Sequence, residues 1–233
     1  MLQVNGNGKD TIEWTGFHHA WYRFNFALMS GLYKFLFSHR YSGRENVPQK
    51  GPILLVANHQ SFLDPIAIGL GCGRTISYLA RKTLFKVPLV GSYLRSVGCY
   101  PVDQDGVATQ GIKDAIRLLQ GNRALLVFPE GARTYTGEVQ AFRPGVQLIV
   151  KKSRCPIVPV GIAGAFEALP RTRALPAFCP LFLPGRYASI GVSLGKPLDG
   201  AQFLDLPREK FLTTLQDAIS KEVENAEKLR RGS

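Results

Sequence analysis

His59 and Asp64 stand five residues apart in Asn58-His59-Gln60-Ser61-Phe62-Leu63-Asp64. An imidazole can take up a proton near neutral pH. A carboxylate on one ring nitrogen fixes its tautomer and stabilises the imidazolium, leaving the other nitrogen to act as a base. On one continuous helix, residues five apart do not share a face, so pairing needs a bend. The flanks supply one. Pro52-Ile53-Leu54-Leu55-Val56-Ala57 is an apolar run that reads as a buried strand, and Pro65-Ile66-Ala67-Ile68-Gly69-Leu70 reads as the start of a helix. Across that turn the aspartate can fold back onto the histidine. A plainer role is also open: an Asp before a Pro suits a helix N-cap, with His59 a satisfied core histidine.

A second stretch carries chemistry. Phe128-Pro129-Glu130-Gly131-Ala132-Arg133-Thr134 follows another apolar run, Ala124 to Phe128. A Pro-Glu-Gly turn after a buried strand sets a carboxylate, a pliant backbone and a guanidinium at the strand's carboxyl end, where open α/β sheets bind ligands. The planar fork of Arg133 suits phosphate. By itself the stretch also reads as a tight turn with a solvated Arg.

Together the two stretches resemble the glycerolipid acyltransferase family. That family pairs an H-x-x-x-x-D block, matched here by His59 and Asp64, with an F-P-E-G-x-R block, matched by Phe128 to Arg133. Pro156-Ile157-Val158-Pro159-Val160 is similar to its apolar third segment. The resemblance implies a glycerol-3-phosphate acyltransferase-like fold and acyl transfer from acyl-CoA or acyl-carrier protein to a lysolipid hydroxyl. The expected product is phosphatidic acid from 1-acylglycerol-3-phosphate. It also implies His59 as general base, oriented by Asp64. Glu130, Gly131 and Arg133 are expected at the substrate, with Glu130 on a glycerol hydroxyl or ordering the Arg. Lys82 is a second candidate cation. One departure stands out: the family's G-x-x-x-V-D-R block reads Gly98-Cys99-Tyr100-Pro101-Val102-Asp103-Gln104 here. A neutral amide at Gln104 can hydrogen-bond a phosphate but cannot neutralise it. Another lysolipid headgroup, such as lyso-ornithine lipid, is therefore the alternative acceptor. A basic membrane- or nucleic-acid-binding protein is the alternative of another class, and it leaves both blocks without a role. Ser61 could be a nucleophile, but no G-x-S-x-G elbow is present.

Elements that position these blocks can be read along the chain. The 233 residues, 45% hydrophobic, suffice for one core. The pattern alternates strands and helices, which predicts an α/β class with a mixed, partly parallel sheet flanked by helices. Strands are expected over 76–80, 156–161 and 187–194. Helices are expected over 83–97 with a break near Pro88, over 106–121, and from Gly145 through Lys152. A terminal helix is entered through Pro207, with fraying from Lys228 onward. Residues 169–186, rich in proline, read as a loop.

Residues 14–37 differ from the rest. Phe17, Trp21, Phe24, Leu28, Leu32 and Phe35 recur at helical spacing, and Tyr22, Phe26, Met29, Tyr33 and Phe37 add apolar surface on other sides. A helix apolar around most of its circumference has two surfaces to cover. Aromatics mixed with Arg23 and Lys34 fit a helix lying at a membrane interface; an ordinary core helix is the other reading. Residues 1–38 are thus expected as a membrane-associating segment and 39–233 as the catalytic domain. The net charge of +12 calls for an anionic partner, read as an anionic membrane surface on the cytoplasmic face of the cell membrane. No nucleic-acid motif is present. No secretory signal is legible in residues 1–13. The four scattered cysteines read as free thiols. No cofactor and no metal are expected, since none of the four histidines has ligand spacing to a Cys or Asp.

Overall fold

A computed structural model describes residues 16–102, 109–180 and 187–232. In chain order its strands are β1 (Arg40–Ser42), β2 (Ile53–Ala57), β3 (Ser77–Arg81), β4 (Cys99–Val102), β5 (Ala124–Val127), β6 (Ile157–Ala163) and β7 (Gly191–Leu194). They form one sheet in the order β1-β7-β6-β2-β5-β3-β4. All neighbours run parallel except β6 and β7, which are antiparallel. The mixed, mostly parallel sheet is the one the alternating pattern predicts.

Among the described residues seven α-helices flank it: α1 (Gly16–Phe37), α2 (Asp64–Cys72), α3 (Val90–Ser96), α4 (Thr109–Gln120), α5 (Gly145–Ser153), α6 (Ala165–Ala168) and α7 (Arg208–Arg231). Strand β2 shows why its sequence is apolar throughout. Ile53, Leu55 and Ala57 face a core with Tyr33 and Phe37 of α1 and Ala67 and Ile68 of α2. Leu54 and Val56 face a second core with α4, α5 and α7, through Leu119, Val150, Phe211 and Leu215. A strand covered on both faces has no polar face to alternate with.

Helix α7 lies very close to the sheet. A Cβ on Gly161 of β6 would fall 2.0 Å from the Glu222 carbonyl carbon, and one on Gly191 of β7 would fall 2.3 Å from the Ala226 oxygen. Only glycine admits backbone at that range. The expected fraying from Lys228 does not occur. Arg230, only 7% exposed, pairs with Glu167 of α6 at 3.2 Å and donates to the Tyr187 carbonyl. A buried, paired guanidinium fastens the helix end. The strand expected from Tyr187 begins only at Gly191, and Tyr187 itself is exposed. Strand β1 and helix α6 are too short for any period to announce them.

Helix α1 carries two surfaces. Asn25, Tyr33 and Phe37 are buried, while Trp21, Phe24, Leu28, Leu32 and Phe35 are exposed. The outward stripe is the one seen in the sequence; Trp14 lies outside the described residues. The indole of Trp21 donates to Ser96 Oγ at 3.0 Å and ties α1 to α3.

Candidate active site

Strand β2 ends at Ala57, and Asp64 is the first residue of α2. The six residues between them form a turn that returns the carboxylate to the imidazole. His59 Nδ1 lies 2.8 Å from Asp64 Oδ2. The same oxygen accepts from the backbone N–H of Gln60 at 2.6 Å and of Ser61 at 2.7 Å. Asp64 therefore does not cap α2; that helix starts behind Leu63 with no side-chain cap. Asp64 closes the turn that holds the histidine. The Asp64 side chain is fully buried and the imidazole is 18% exposed. Burial pushes the Asp64 carboxyl up, against His59 and the two N–H donors, which pull it down. With Nδ1 engaged, Nε2 is the nitrogen left for chemistry.

The second block meets the first because β5 is hydrogen-bonded to β2, with Val127 opposite Val56. Phe128 stacks on the imidazole, ring centroids 3.9 Å apart and planes 14° from parallel. The aromatic of this block thus fixes the ring plane of His59 and offers its face to an imidazolium. The Thr134 N–H donates to the His59 carbonyl at 2.9 Å, and Glu130 Oε1 accepts from the His59 N–H at 3.1 Å. Glu130 is 4% exposed, and burial raises its carboxyl to about 7. Among the described residues no hydrogen bond joins it to Arg133. Its observed partner is the backbone of the histidine, not the guanidinium.

These bonds use up backbone donors around the histidine. The N–H groups of His59, Gln60 and Ser61 go to carboxylates, and that of Gly131 goes to the Phe128 carbonyl at 3.1 Å. Gly131 itself sits at φ 75, and a Cβ there would lie 2.5 Å from Arg143 Nε. The positive φ favours glycine there, and a Cβ would also displace the Arg143 side chain. Ser61 Oγ donates to the Leu169 carbonyl at 2.7 Å and accepts from Leu63 N–H. It is a strut between two loops, with no bond to His59.

Arg133 is half-buried, and its guanidinium carbon lies 3.5 Å from the Phe62 ring centroid. Burial lowers its pKa, and the charges of Arg171 and Arg81 act in the same direction. Lys82 is exposed, at the start of the tight turn Lys82–Lys86. The charge felt at Arg133 from this edge is that of its neighbour Arg81. Gln104 lies outside the described residues. All four cysteines are buried thiols outside any disulfide.

Sequence reading thus places His59, Asp64, Glu130, Gly131 and Arg133 in segments that converge. It misses Phe128 as a ring support, although the block itself contains it. It also misses Arg171, which sits in a proline-flanked stretch with no periodicity to draw attention.

Known proteins place this geometry in context. A solved structure, the 1-acyl-sn-glycerophosphate (LPA) acyltransferase PlsC from Thermotoga maritima, is similar with a TM-score of 0.66 and 26% identity, covering 91% of this chain and 89% of that one. The 1-acyl-sn-glycerol-3-phosphate acyltransferase of Bacillus subtilis (strain 168) is 28% identical over 185 residues, 79% of this chain and 85% of its own. The enzyme of the same description from Saccharomyces cerevisiae is 35% identical over 127 residues, 52% of this chain and 41% of its own. The acyltransferase family profile matches residues 38–163, which takes in both blocks and six of the seven strands of the sheet. With that match spanning more than half of its length, the chain belongs to the acyltransferase family.

Proposed function

We propose that this enzyme transfers a fatty acyl group from a thioester donor, acyl-CoA or acyl-carrier protein, to the free hydroxyl of 1-acylglycerol-3-phosphate. The observation that carries the reading is the His59–Asp64 pair, with Nδ1 held by a buried carboxylate and Nε2 left as the base. The hydroxyl oxygen attacks the thioester carbonyl carbon while Nε2 takes its proton. Asp64 balances the charge that appears on the imidazole, and the Phe128 face lies against it. Collapse of the tetrahedral intermediate breaks the carbon–sulfur bond. The thiolate leaves and recovers the proton from Nε2, so ester and thiol are the products. The similarity to enzymes named for 1-acyl-sn-glycerol-3-phosphate supports this acceptor. So does Arg133, a guanidinium for which no carboxylate lies within ion-pairing distance among the described residues.

Arg133→Ala is expected to raise KM for lysophosphatidic acid by roughly tenfold, the loss of one charged hydrogen-bonding group. KM for the acyl donor should hold. Thioester consumption over a panel of acceptors reads both. Equal use of lysophosphatidic acid and a phosphate-free acceptor by the unaltered enzyme would remove this acceptor assignment.

The enzyme's place, in this reading, is the cytoplasmic face of the membrane, docked rather than spanning. No described helix is long and apolar enough to cross a bilayer. What supports docking is the exposed stripe Trp21, Phe24, Leu28, Leu32 and Phe35. Through Trp21 and Ser96 it adjoins α3 and the loop before it, where Val87, Leu89 and Tyr93 are also exposed. Leu89 is 86% exposed and held at φ 64, a costly conformation for a large apolar side chain. Lys82, Lys86 and Arg95 are in the same segment, suited to anionic headgroups. Phe24→Glu with Leu28→Glu is expected to cut co-sedimentation with phosphatidylglycerol vesicles by about tenfold or more, with circular dichroism unchanged. Undiminished sedimentation would sink the docking face.

A further inference from the structure

Arg133 does not stand alone at its end of the sheet. In the loop after α6, Arg171 reaches back, and its Nη1 donates to the Arg133 carbonyl at 3.2 Å. Its guanidinium carbon lies 3.9 Å from the centroid of the Tyr135 ring, as that of Arg133 lies over Phe62. Each guanidinium lies on an aromatic plate, and the charge of Arg171 is felt at Arg133. Stacking uses their faces and, apart from Arg171 Nη1 on the Arg133 carbonyl, leaves in-plane N–H groups to meet other partners. Nor is the loop loosely attached. Ser61 Oγ, in the catalytic turn, donates to the Leu169 carbonyl at 2.7 Å. Arg173 Nη2 donates to the Glu167 and Ala168 carbonyls at 2.6 and 2.7 Å.

Charge makes the arrangement informative. Among the described residues, no carboxylate lies within ion-pairing distance of Arg133 or Arg171. The nearby acid, Asp64, is already spent on His59, Gln60 and Ser61. Arg81 adds a third positive charge to the field at Arg133. Like charges gathered without a counter-charge cost free energy unless an anion joins them. Two guanidiniums at one end of the sheet suit a phosphate monoester, with more acceptor oxygens than one guanidinium can satisfy. The stretch 98–104 offers no guanidinium of its own.

We propose that Arg171 is a second binding residue for the acceptor's phosphate monoester, acting with Arg133 as a paired clamp that fixes which lysolipid is acylated. The inference rests on the proposed acceptor. A phosphate monoester also occurs on the acyl donor, as the 3′-phosphate of coenzyme A, so the test has to separate the two substrates.

The experiment measures steady-state kinetics of the full chain and of Arg171→Ala and Arg171→Lys on mixed vesicles. Acceptors are lysophosphatidic acid and monoacylglycerol; donors are acyl-CoA and acyl-pantetheine, which lacks the 3′-phosphate. Arg171→Ala is expected to raise KM for lysophosphatidic acid by about tenfold or more. The ratio of kcat/KM for lysophosphatidic acid to that for monoacylglycerol should collapse by a similar factor. KM for acyl-CoA should hold. Arg171→Lys should recover part of the loss, because charge is kept while the fork is not. Inhibition by glycerol 3-phosphate should weaken in parallel, a readout that a merely structural role would not move. An unchanged acceptor ratio in Arg171→Ala overturns the proposal, as does a rise in acyl-CoA KM that acyl-pantetheine does not share. If the unaltered enzyme shows no preference for lysophosphatidic acid, the acceptor assignment itself has failed. If it shows that preference and Arg171→Ala keeps it, only the clamp has failed.

Discussion

His59→Ala is expected to lower kcat/KM for acyl transfer by roughly a hundred- to ten-thousandfold, the range that a positioned general base supplies. The side chain is held by Asp64 at Nδ1 and by the Phe128 face, and nothing else described on this turn offers a nitrogen base. Its removal takes a partly exposed ring from the edge of the core. Asp64 Oδ2 keeps the Gln60 and Ser61 N–H groups, so the turn should persist. Thermal unfolding followed by circular dichroism should move by only a few degrees, while thioester consumption with lysophosphatidic acid falls towards the background. Turnover within a few-fold of the unaltered enzyme would rule out His59 as the base.

Two substitutions at Asp64 are expected to separate its charge from its scaffolding. In Asp64→Asn, the backbone donors of Gln60 and Ser61 orient the amide oxygen towards themselves and so towards Nδ1–H. The tautomer is then preserved and only the negative charge is lost. A charge-assisted hydrogen bond contributes about 1.5–3 kcal/mol, so activity should fall by roughly ten- to a hundredfold with the melting temperature close to that of the unaltered enzyme. Asp64→Ala removes the acceptor as well. It leaves two buried N–H groups unsatisfied, at about 1–3 kcal/mol each, so activity and melting temperature should fall together. Equal melting temperatures for the two variants would show that the carboxylate does not hold the turn. Activity near normal in Asp64→Asn would show that its charge is not used.

Much of this was legible because it depends on short-range physics. A buried strand, a turn and a helix start around residues 52–70 determine where His59 and Asp64 can go, and each has a sequence signature. The pairing of β2 with β5, which brings Phe128 over His59, is long-range; the apolar runs show two buried strands but not that they are neighbours. The service of Glu130 to the His59 N–H is hidden for the same reason, since it joins residues 71 apart. Arg171 lies in a loop where proline spacing speaks only of irregular backbone. The buried end of α7 is hidden from the sequence because basic residues near a helix terminus resemble a solvated tail. Arg230 becomes interior through partners distant in the chain, Glu167, 63 positions earlier, and the Tyr187 carbonyl, together with Glu227 on its own helix.

The glycines under α7 bear on the order of events during synthesis. The residues that meet at His59 are all translated by Arg171. Yet the bare backbone of Gly161 and Gly191 is roofed by residues 222–226, which leave the ribosome some fifty residues later. Until then the face of β6 and β7 that carries Gly161, Gly191 and Ser193 has no roof, since Glu222, the partner of Ser193, is also in α7. The catalytic turn is consequently complete in sequence well before its sheet is sealed. A stop codon anywhere before Ala226 would leave the protein in that unsealed state.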